Sequence, residues 1–286
     1  MSRLFCLLQA ITPQKLLTEL VGKIAASQNK TFSQFLIKKF IAKFNIDLSA
    51  YLKETPDAFS SFSDFFTREL KPEHIKFPRA KKAIGSPVEA TVSQAGKIKK
   101  GQLLQAKGFS YGLVELLAGE HNPNIFKQGT FLTAYLSPTD YHRVHMPLDG
   151  KLVAYTYIPG RLFSVAPSTL AHCPDVFTRN ERLVMHFETA AGPMALVMVG
   201  AYLVGQIVTT FAGRIARNAK LNHRTLEASE QTSFKKGDEL GHFNFGSSII
   251  MLFTKDAINL EKSIAPNAKL SVGQNICEIV LASTKD

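Results

Sequence analysis

Two short clusters in this chain of 286 residues combine residue types that can carry out covalent chemistry. The segment 140–147 reads DYHRVHMP and holds His142 and His145, three residues apart. The segment 243–250 reads FNFGSSII, so Gly246 and Ser247 stand just before an apolar run. An imidazole exchanges protons near neutral pH, and a serine hydroxyl beside such a base can act as a nucleophile. Together the clusters indicate proton transfer combined with nucleophilic attack.

Each cluster taken alone leaves other interpretations open. Two histidines three residues apart could be metal ligands, although a catalytic zinc site needs a third protein ligand that the pattern does not supply, or they could be structural. A Gly-Ser-Ser step can be a simple turn into a strand. The residues around Ser247 do not form the GxSxG pattern of a hydrolase nucleophile elbow, so that segment gives no support for an esterase of that class.

The first seventy residues read as amphipathic helices. Thr12 and Pro13 predict a helix start, and the following apolar residues share one helical face. Thr31 with Gln34 predicts a second start, and Ser61 with Asp64 a third. The apolar residues of the first two helices are Leu16, Leu17, Leu20, Val21, Ile24, Phe32, Phe35, Leu36, Phe40 and Phe44.

From about residue 84 the pattern changes to short apolar runs separated by glycine and proline, which predicts strands. One short helix is expected within 113–118, and an exposed loop at 214–236. The predicted strands are 130–136, 151–158, 183–187, 194–199, 247–253 and 276–281. We therefore expect an α+β protein with a helical membrane-associating region at 1–70 and a β-rich catalytic domain at 71–286.

One stretch, 193–213, has no charged residue and is about long enough to cross a bilayer. Gly200 and Gly205 divide it into short β-branched pieces, and Gln206 is polar. These interruptions favour two buried strands over a transmembrane helix.

Composition and charge describe a globular protein with an anionic partner. Hydrophobic residues make up 45% of the chain and charged residues 20%, and the formal net charge is +11. Residues 1–53 hold eight Lys or Arg residues against Glu19 and Asp47. A basic amphipathic helix is typical of a protein that rests on anionic lipid. The phenylalanines could instead pack only on the protein's own core.

The three cysteines, Cys6, Cys173 and Cys277, are far apart and form no CxxC pair. We therefore expect no disulfide framework, no zinc knuckle and a reducing compartment.

The two clusters, with several shorter segments, resemble the phosphatidylserine decarboxylase family over almost the whole chain. The matching segments are FSDFFTREL at 62–70, GKIKKGQLLQAKG at 96–108, LLAG at 116–119, TAYLSPTDYHRVHMP at 133–147, RLFSV at 161–165 and FKKGDELGHFNFGSS at 234–248. In prokaryotic members a Leu-Gly-Ser-Thr motif is the self-cleavage site. Phe245, Gly246, Ser247 and Ser248 stand at those positions here.

This resemblance implies that Ser247 attacks the Gly246 carbonyl, that the chain breaks between 246 and 247, and that Ser247 becomes a pyruvoyl cofactor. It implies His145 as the base of a self-cleavage triad and His142 as the residue that contacts substrate and delivers a proton. No metal is implied. The implied reaction converts phosphatidylserine to phosphatidylethanolamine at an anionic membrane surface, on the cytoplasmic face of the inner membrane, by a homodimer of processed subunits.

The chain departs from the family pattern at the third member of the triad. The family has Pro-Ala-Asp-Gly, whereas Pro87, Val88, Glu89 and Ala90 stand here. Glu89 retains the negative charge that would orient His145, but its side chain is one methylene longer. Slow or incomplete self-cleavage is the expected consequence, since a displacement of about 1 Å can cost on the order of 100-fold in rate.

Two rival functions follow from these features. The first is a lipid-binding pseudoenzyme of the same fold, in which Glu89 and Ala90 have ended self-cleavage. The second is a nucleic-acid-binding protein, which the net charge would suit. The second is disfavoured, because the N-terminal phenylalanines fall at helical core spacing and the chain has no tryptophan to stack on bases. We therefore expect no nucleic-acid partner.

Overall fold

The structure is a computed structural model that describes residues 3–202, 206–215, 220–244 and 246–280. The α-helices in these ranges are α1 Arg3–Ile11, α2 Gln14–Ala25, α3 Lys30–Phe44, α4 Phe62–Phe66, α5 Leu113–Leu116, α6 Pro167–Leu170 and α7 Val176–Arg179. Short 3₁₀ helices lie at Pro56–Ala58, Pro72–His74 and Pro123–Phe126.

Strands follow the N-terminal helices. They are β1 Ala83–Gly85, β2 Ala90–Lys97, β3 Gln102–Ala106, β4 Phe109–Gly112, β5 Thr130–Leu136, β6 Arg143–His145, β7 Gly150–Ile158, β8 Arg182–Thr189, β9 Gly192–Val199, β10 Ile207–Thr209, β11 Gly213–Arg214, β12 Asn222–Thr225, β13 Ser233–Phe234, β14 Glu239–Phe243, β15 Ser247–Phe253, β16 Ile258–Leu260, β17 Lys269–Leu270 and β18 Asn275–Ile279. The α+β prediction is confirmed. The boundary between 70 and 71 stays a prediction.

A nine-stranded antiparallel sheet forms the body, in the order β12-β7-β8-β9-β15-β5-β2-β17 with β13 also paired to β7. Its central strand β15 is buried along its whole length and alternates between two cores. Ile249 and Met251 belong to the core on one face, and Ile250 and Leu252 to the core on the other. Coverage of both faces explains why this strand reads as a continuous apolar run.

A smaller sheet lies against the first and has the order β11-β10-β14-β6. Strand β6 carries His145, and β14 leads into the Gly-Ser-Ser segment. The prediction that 193–213 forms strands is confirmed by β9 and β10. Within the described ranges, no helix is long and apolar enough to cross a membrane.

The three predicted helices are present and begin close to the predicted positions, but the predicted capping residue was right at one start and wrong at two. Ser61 caps α4 by accepting a hydrogen bond from Asp64 N. At α3 the cap is Asn29, whose side chain accepts from Phe32 N, rather than Thr31. Thr12 does not cap α2, because its hydroxyl donates backwards to Gln9 O.

Helices α1 to α3 leave much of their apolar surface uncovered. In α1, Ile11 is 78% exposed, and in α2 the side chains of Leu16, Leu20 and Ile24 are all about half exposed. The buried residues of α2 are Gln14, Thr18 and Ala25 instead. The packing therefore inverts the usual arrangement, in which a helix turns its apolar face to the core.

The segment 161–164 anchors the N-terminal helices to the body through polar contacts. Gln14 Oε1 accepts from Leu162 N at 2.8 Å, and Gln9 Oε1 accepts from Ser164 N at 2.7 Å. Cys6 of α1 forms a disulfide with Cys173, whose Cα atom lies 5.9 Å away. The prediction of no disulfide was wrong for this pair, because docking of α1 joins two cysteines that are 167 residues apart. Cys277 is free and buried.

The predicted loop at 214–236 includes the short strands β12 and β13, which pair with the edge of β7. Apart from these pairings it is largely exposed in the residues described.

Candidate functional site

Backbone pairing brings the two sequence clusters to one corner of the molecule. Ser247, the first residue of β15, is opposite Leu136, the last residue of β5. Six residues after Leu136, His142 O accepts a hydrogen bond from Phe243 N at 3.0 Å. The segments 136–142 and 243–247 are therefore held together at both ends.

The turn between β5 and His142 is fixed by Asp140. Its carboxylate accepts from Ser137 N at 2.7 Å, and its backbone N donates to Ser137 O at 3.0 Å. Asp140 O in turn accepts from His142 Nδ1 at 2.7 Å. A carbonyl oxygen can only accept, so Nδ1 of His142 carries the hydrogen and Nε2 has a free lone pair.

Nε2 of His142 is buried and has no hydrogen-bond partner in the part of the chain that the structure describes. Phe66 of α4 packs against the ring, with centroids 4.2 Å apart. Burial, with a smaller contribution from the Arg68 guanidinium, lowers the pKa of His142 to about 3. At neutral pH, His142 is therefore an uncharged proton acceptor.

Ser247 and Ser248 are fully buried, and both hydroxyls lack a partner among the described residues. Most buried hydroxyls are hydrogen-bonded, because an unpaired one loses its contacts with water without replacement. An unpaired buried hydroxyl is a feature that folding alone does not favour. Phe245, the first residue of the predicted cleavage motif, lies outside the described residues.

A cavity of about 300 Å³ reaches Gly246. Its walls come from Val21 of α2, Phe40 of α3, Phe66 and Tyr135, among others. An apolar groove of about 410 Å³ between α2, α3 and α4 shares Val21 and Phe40 with this cavity. The uncovered helical surface is thus continuous with the Gly246 corner.

His145 lies in the same corner, where its backbone N donates to Pro87 O at 2.8 Å. Its ring nitrogens are both engaged: Nδ1 lies 2.8 Å from Gly237 O, and Nε2 lies 3.0 Å from the Tyr141 hydroxyl. Burial lowers its pKa, while the contact with Gly237 O acts in the opposite direction.

Glu89 is two residues from Pro87, whose carbonyl accepts from His145 N, but its carboxylate makes no hydrogen bond to the His145 ring. Its Oε2 accepts instead from Tyr141 N at 3.3 Å. Burial, together with the nearby charge of Asp140, raises the pKa of the Glu89 carboxyl. The structure therefore links Glu89 to His145 through Tyr141, and joins the segment that carries His142 to the segment that carries Ser247, without a direct Glu89–His145 or His145–Ser247 hydrogen bond.

Sequence reasoning assigned no role to Tyr141 or Phe66, which contact the two histidines directly. Both lie inside segments that were already identified, at 133–147 and 62–70. Their positions in the sequence did not predict these contacts, because α4 and the segment before β6 are far apart in the chain and meet only in the folded structure. Among the described side chains, no group of three or more His, Cys, Asp or Glu residues could hold a metal ion.

Known protein families match this chain over ranges that include the segments of this corner. The family model for phosphatidylserine decarboxylase matches residues 62–278, and a model described as PSD matches 4–45. Three relatives carry the name phosphatidylserine decarboxylase proenzyme. That from Psychromonas ingrahamii is 44% identical and the alignment covers 93% of this chain and 94% of the relative. That from Idiomarina loihiensis is 41% identical, with 95% and 94% covered.

The third relative, from Legionella pneumophila, is 45% identical, with 93% of this chain and 94% of its own length covered. The family model spans well over half of the chain, and its range includes α4, both histidines and Ser247. The chain therefore belongs to the phosphatidylserine decarboxylase family.

Proposed function

We propose that this protein decarboxylates phosphatidylserine to phosphatidylethanolamine, using a pyruvoyl group that it makes from Ser247 by breaking the Gly246–Ser247 bond. One observation carries the proposal: the unpaired, fully buried Ser247 hydroxyl stands next to a glycine that lines the cavity. The names of the relatives support the substrate and describe a proenzyme, which is a chain that requires processing.

Self-cleavage would begin with attack of Ser247 Oγ on the carbonyl carbon of Gly246. The peptide nitrogen leaves that carbon, and an ester joins the two residues. Loss of the α proton of residue 247 then expels the Gly246 carboxylate and leaves dehydroalanine, which water converts to a pyruvoyl group and ammonia. A Cβ atom at Gly246 would lie 3.4 Å from Leu136 O, which is ordinary van der Waals contact, so space alone does not require glycine there.

His145 is the base in this proposal, with Glu89 as the third member of the triad. A positioned general base contributes typically about 10²- to 10⁴-fold to a rate. His145 is uncharged at neutral pH because burial lowers its pKa. Glu89 does not contact the ring; its carboxylate accepts from the backbone N of Tyr141.

The cavity reaches Gly246, the neighbour of the residue that would carry the pyruvoyl group, so a break after Gly246 would place the new chain end beside this cavity. When present, that group would withdraw the electrons released as the substrate loses its carboxylate. His142 would supply the proton transfers. Because the pKa of its ring is about 3, its free Nε2 would not keep a proton from the substrate's ammonium group; it would accept a hydrogen bond from the amine and pass a proton on to the carbon that has lost carbon dioxide.

The membrane side of the proposal rests on the uncovered helices. Apolar side chains such as Ile11, Leu16 and Phe35 point away from the core, and Lys39 and Lys43 line the groove beside them. Burying such side chains in lipid is favourable, and each well-placed lysine adds about 1 kcal/mol on an anionic surface. We propose peripheral binding at the cytoplasmic face of the inner membrane, as a homodimer.

Intact mass under denaturing conditions tests the proposal. We expect two pieces, 1–246 and 247–286, with the smaller one reactive toward a hydrazine that labels ketones. The Ser247→Ala chain should remain one piece, and the Ser248→Ala chain should still divide. A wild-type chain that stays whole after prolonged incubation contradicts the proposal. Retention on single-stranded DNA in preference to anionic vesicles, at about 0.15 M salt, would contradict its membrane part.

A second candidate function is lipid binding by a chain that never processes itself. The observation in its favour is that Glu89 contacts Tyr141 rather than His145. The mass experiment separates the two, because only the decarboxylase requires the break. A Glu89→Asp chain that cleaves when the wild type does not would locate the defect at this residue.

A further inference from the structure

The ring of His145 is held in one tautomer by its two neighbours. Gly237 O can only accept, so Nδ1 of His145 carries the hydrogen. Nε2 therefore presents its lone pair, and the Tyr141 hydroxyl, 3.0 Å away, donates to it. Both side chains are buried, with exposed fractions of 1% for Tyr141 and 4% for His145.

This hydrogen bond occupies the lone pair that a general base uses. Nδ1 is committed to a carbonyl, so Nε2 is the one nitrogen that could accept a proton from Ser247. The Ser247 hydroxyl, meanwhile, finds no partner in the ranges that the structure covers. The intact chain thus holds His145 toward Tyr141 and leaves the nucleophile unengaged.

Tyr141 is fixed at both ends. Its backbone N donates to Glu89 Oε2 at 3.3 Å, and its ring lies nearly parallel to that of His145, at 17° with centroids 5.7 Å apart. The phenol belongs to a buried cluster that includes Ile37 and Phe65. The hydroxyl cannot move away from Nε2 by a simple rotation into solvent.

We propose that Tyr141 is a positioning residue that masks Nε2 of His145 in the intact chain, so that self-cleavage proceeds from the arrangement in which this hydrogen bond has broken. The inference rests on the proposed function, because it makes Tyr141, a neighbour of the proposed base His145, control the rate of self-cleavage. A net hydrogen bond of about 0.5–1.5 kcal/mol corresponds to a factor of about two to ten in rate. Removing the hydroxyl should accelerate self-cleavage by that factor.

The kinetic test follows freshly synthesised chains from a cell-free reaction as they divide at 246/247, by denaturing electrophoresis. Tyr141→Phe should divide about two to ten times faster than the wild type. Tyr111→Phe is the matched control, because Tyr111 is equally buried but lies in the core on the far face of the sheet, and its rate should not change. An equal or slower rate for Tyr141→Phe overturns the proposal.

A second measurement does not depend on cleavage. In Ser247→Ala chains, which stay whole, ¹⁵N NMR reports the tautomer and the pKa of His145. The groups Glu239, Arg143 and Asp238 also act on this imidazole, and all three are retained in both variants. A donor at Nε2 stabilises the neutral ring, so Tyr141→Phe should raise the pKa of His145.

An unchanged or lower pKa overturns the masking proposal, as does an Nε2–H tautomer in the Ser247→Ala chain that retains Tyr141. The tautomer measurement needs no substitution of Tyr141, so it stands even if Tyr141→Phe misfolds. Failure of the wild type to divide contradicts the proposed function and leaves the masking contact to be decided by NMR alone.

Discussion

Alanine at position 248 should stabilise the uncleaved chain, although serine to alanine changes at buried sites usually do the opposite. Ser248 is fully buried in β15, and its hydroxyl has no partner among the residues that the structure describes. A buried hydroxyl without a hydrogen bond costs about 1–3 kcal/mol. Alanine removes that cost and keeps the Cβ atom in place.

The measurement requires a chain that cannot cleave itself, so Ser247→Ala is the reference and Ser247→Ala/Ser248→Ala the test. For a chain of this size, 1 kcal/mol shifts the Tm by roughly 2 °C, which predicts an increase of about 2–6 °C. Circular dichroism at one fixed scan rate gives both values.

Ser86 supplies the matched control in the same background. It is also fully buried, but its hydroxyl donates to Val88 O at 2.7 Å. Ser86→Ala should lower the Tm by roughly 2 °C, because a satisfied hydrogen bond is lost at about 1 kcal/mol. A fall in Tm at position 248 comparable to that at 86 would refute the reasoning, since it would mean that the Ser248 hydroxyl is satisfied.

Three further predictions concern the base, the disulfide and the membrane face. The pH profile of self-cleavage should have its midpoint below 6.5, because burial lowers the pKa of His145 and the neutral ring is the active form; a midpoint at or above 6.5 would contradict this. Alanine at both Cys6 and Cys173 should lower the free energy of unfolding by up to about 5 kcal/mol in urea titrations, since the link spans 167 residues. Labelling of both thiols without a reductant would show instead that the disulfide is absent. Aspartate at Leu16 and Ile24 should weaken flotation with anionic vesicles more than tenfold while leaving the thermal midpoint unchanged, because both side chains are exposed; unaltered flotation would exclude this face.

The strands that the sequence predicted most accurately are those buried on both faces. The predicted bounds 130–136 and 247–253 match β5 and β15 to the residue, because every position there is apolar or small and glycine flanks both runs. Helix starts were harder to predict. Asn29 and Thr31 both have the chemistry of a cap, and the direction of the preceding chain decides between them.

Tertiary docking decided the features that the sequence could not predict. The Cys6–Cys173 pair depends on where α1 lies, which two buried glutamines determine through contacts with the backbone of 162–164. In the candidate site, the motifs identified the residues, and the strand pairing brought them together. The hydrogen-bond partner of each site residue could not be predicted from the motifs. Glu89, for example, bonds to Tyr141 N rather than to His145, because the backbone at 87–89 determines which atoms its side chain can reach.

The contacts of Glu89 indicate which property of the site is altered by having glutamate where the family has aspartate. An aspartate on Nδ1 of a catalytic histidine fixes the tautomer and stabilises the imidazolium that forms when the ring takes a proton. Here Gly237 O occupies Nδ1 at 2.8 Å and fixes the same tautomer, but a carbonyl dipole offers less stabilisation of positive charge than a full carboxylate. Because burial also lowers the pKa of His145, the ring is uncharged at neutral pH but is a weaker base than an exposed imidazole. Under the proposed function, the substitution would therefore act on the electrostatics of the proton-transfer step rather than on the orientation of the ring.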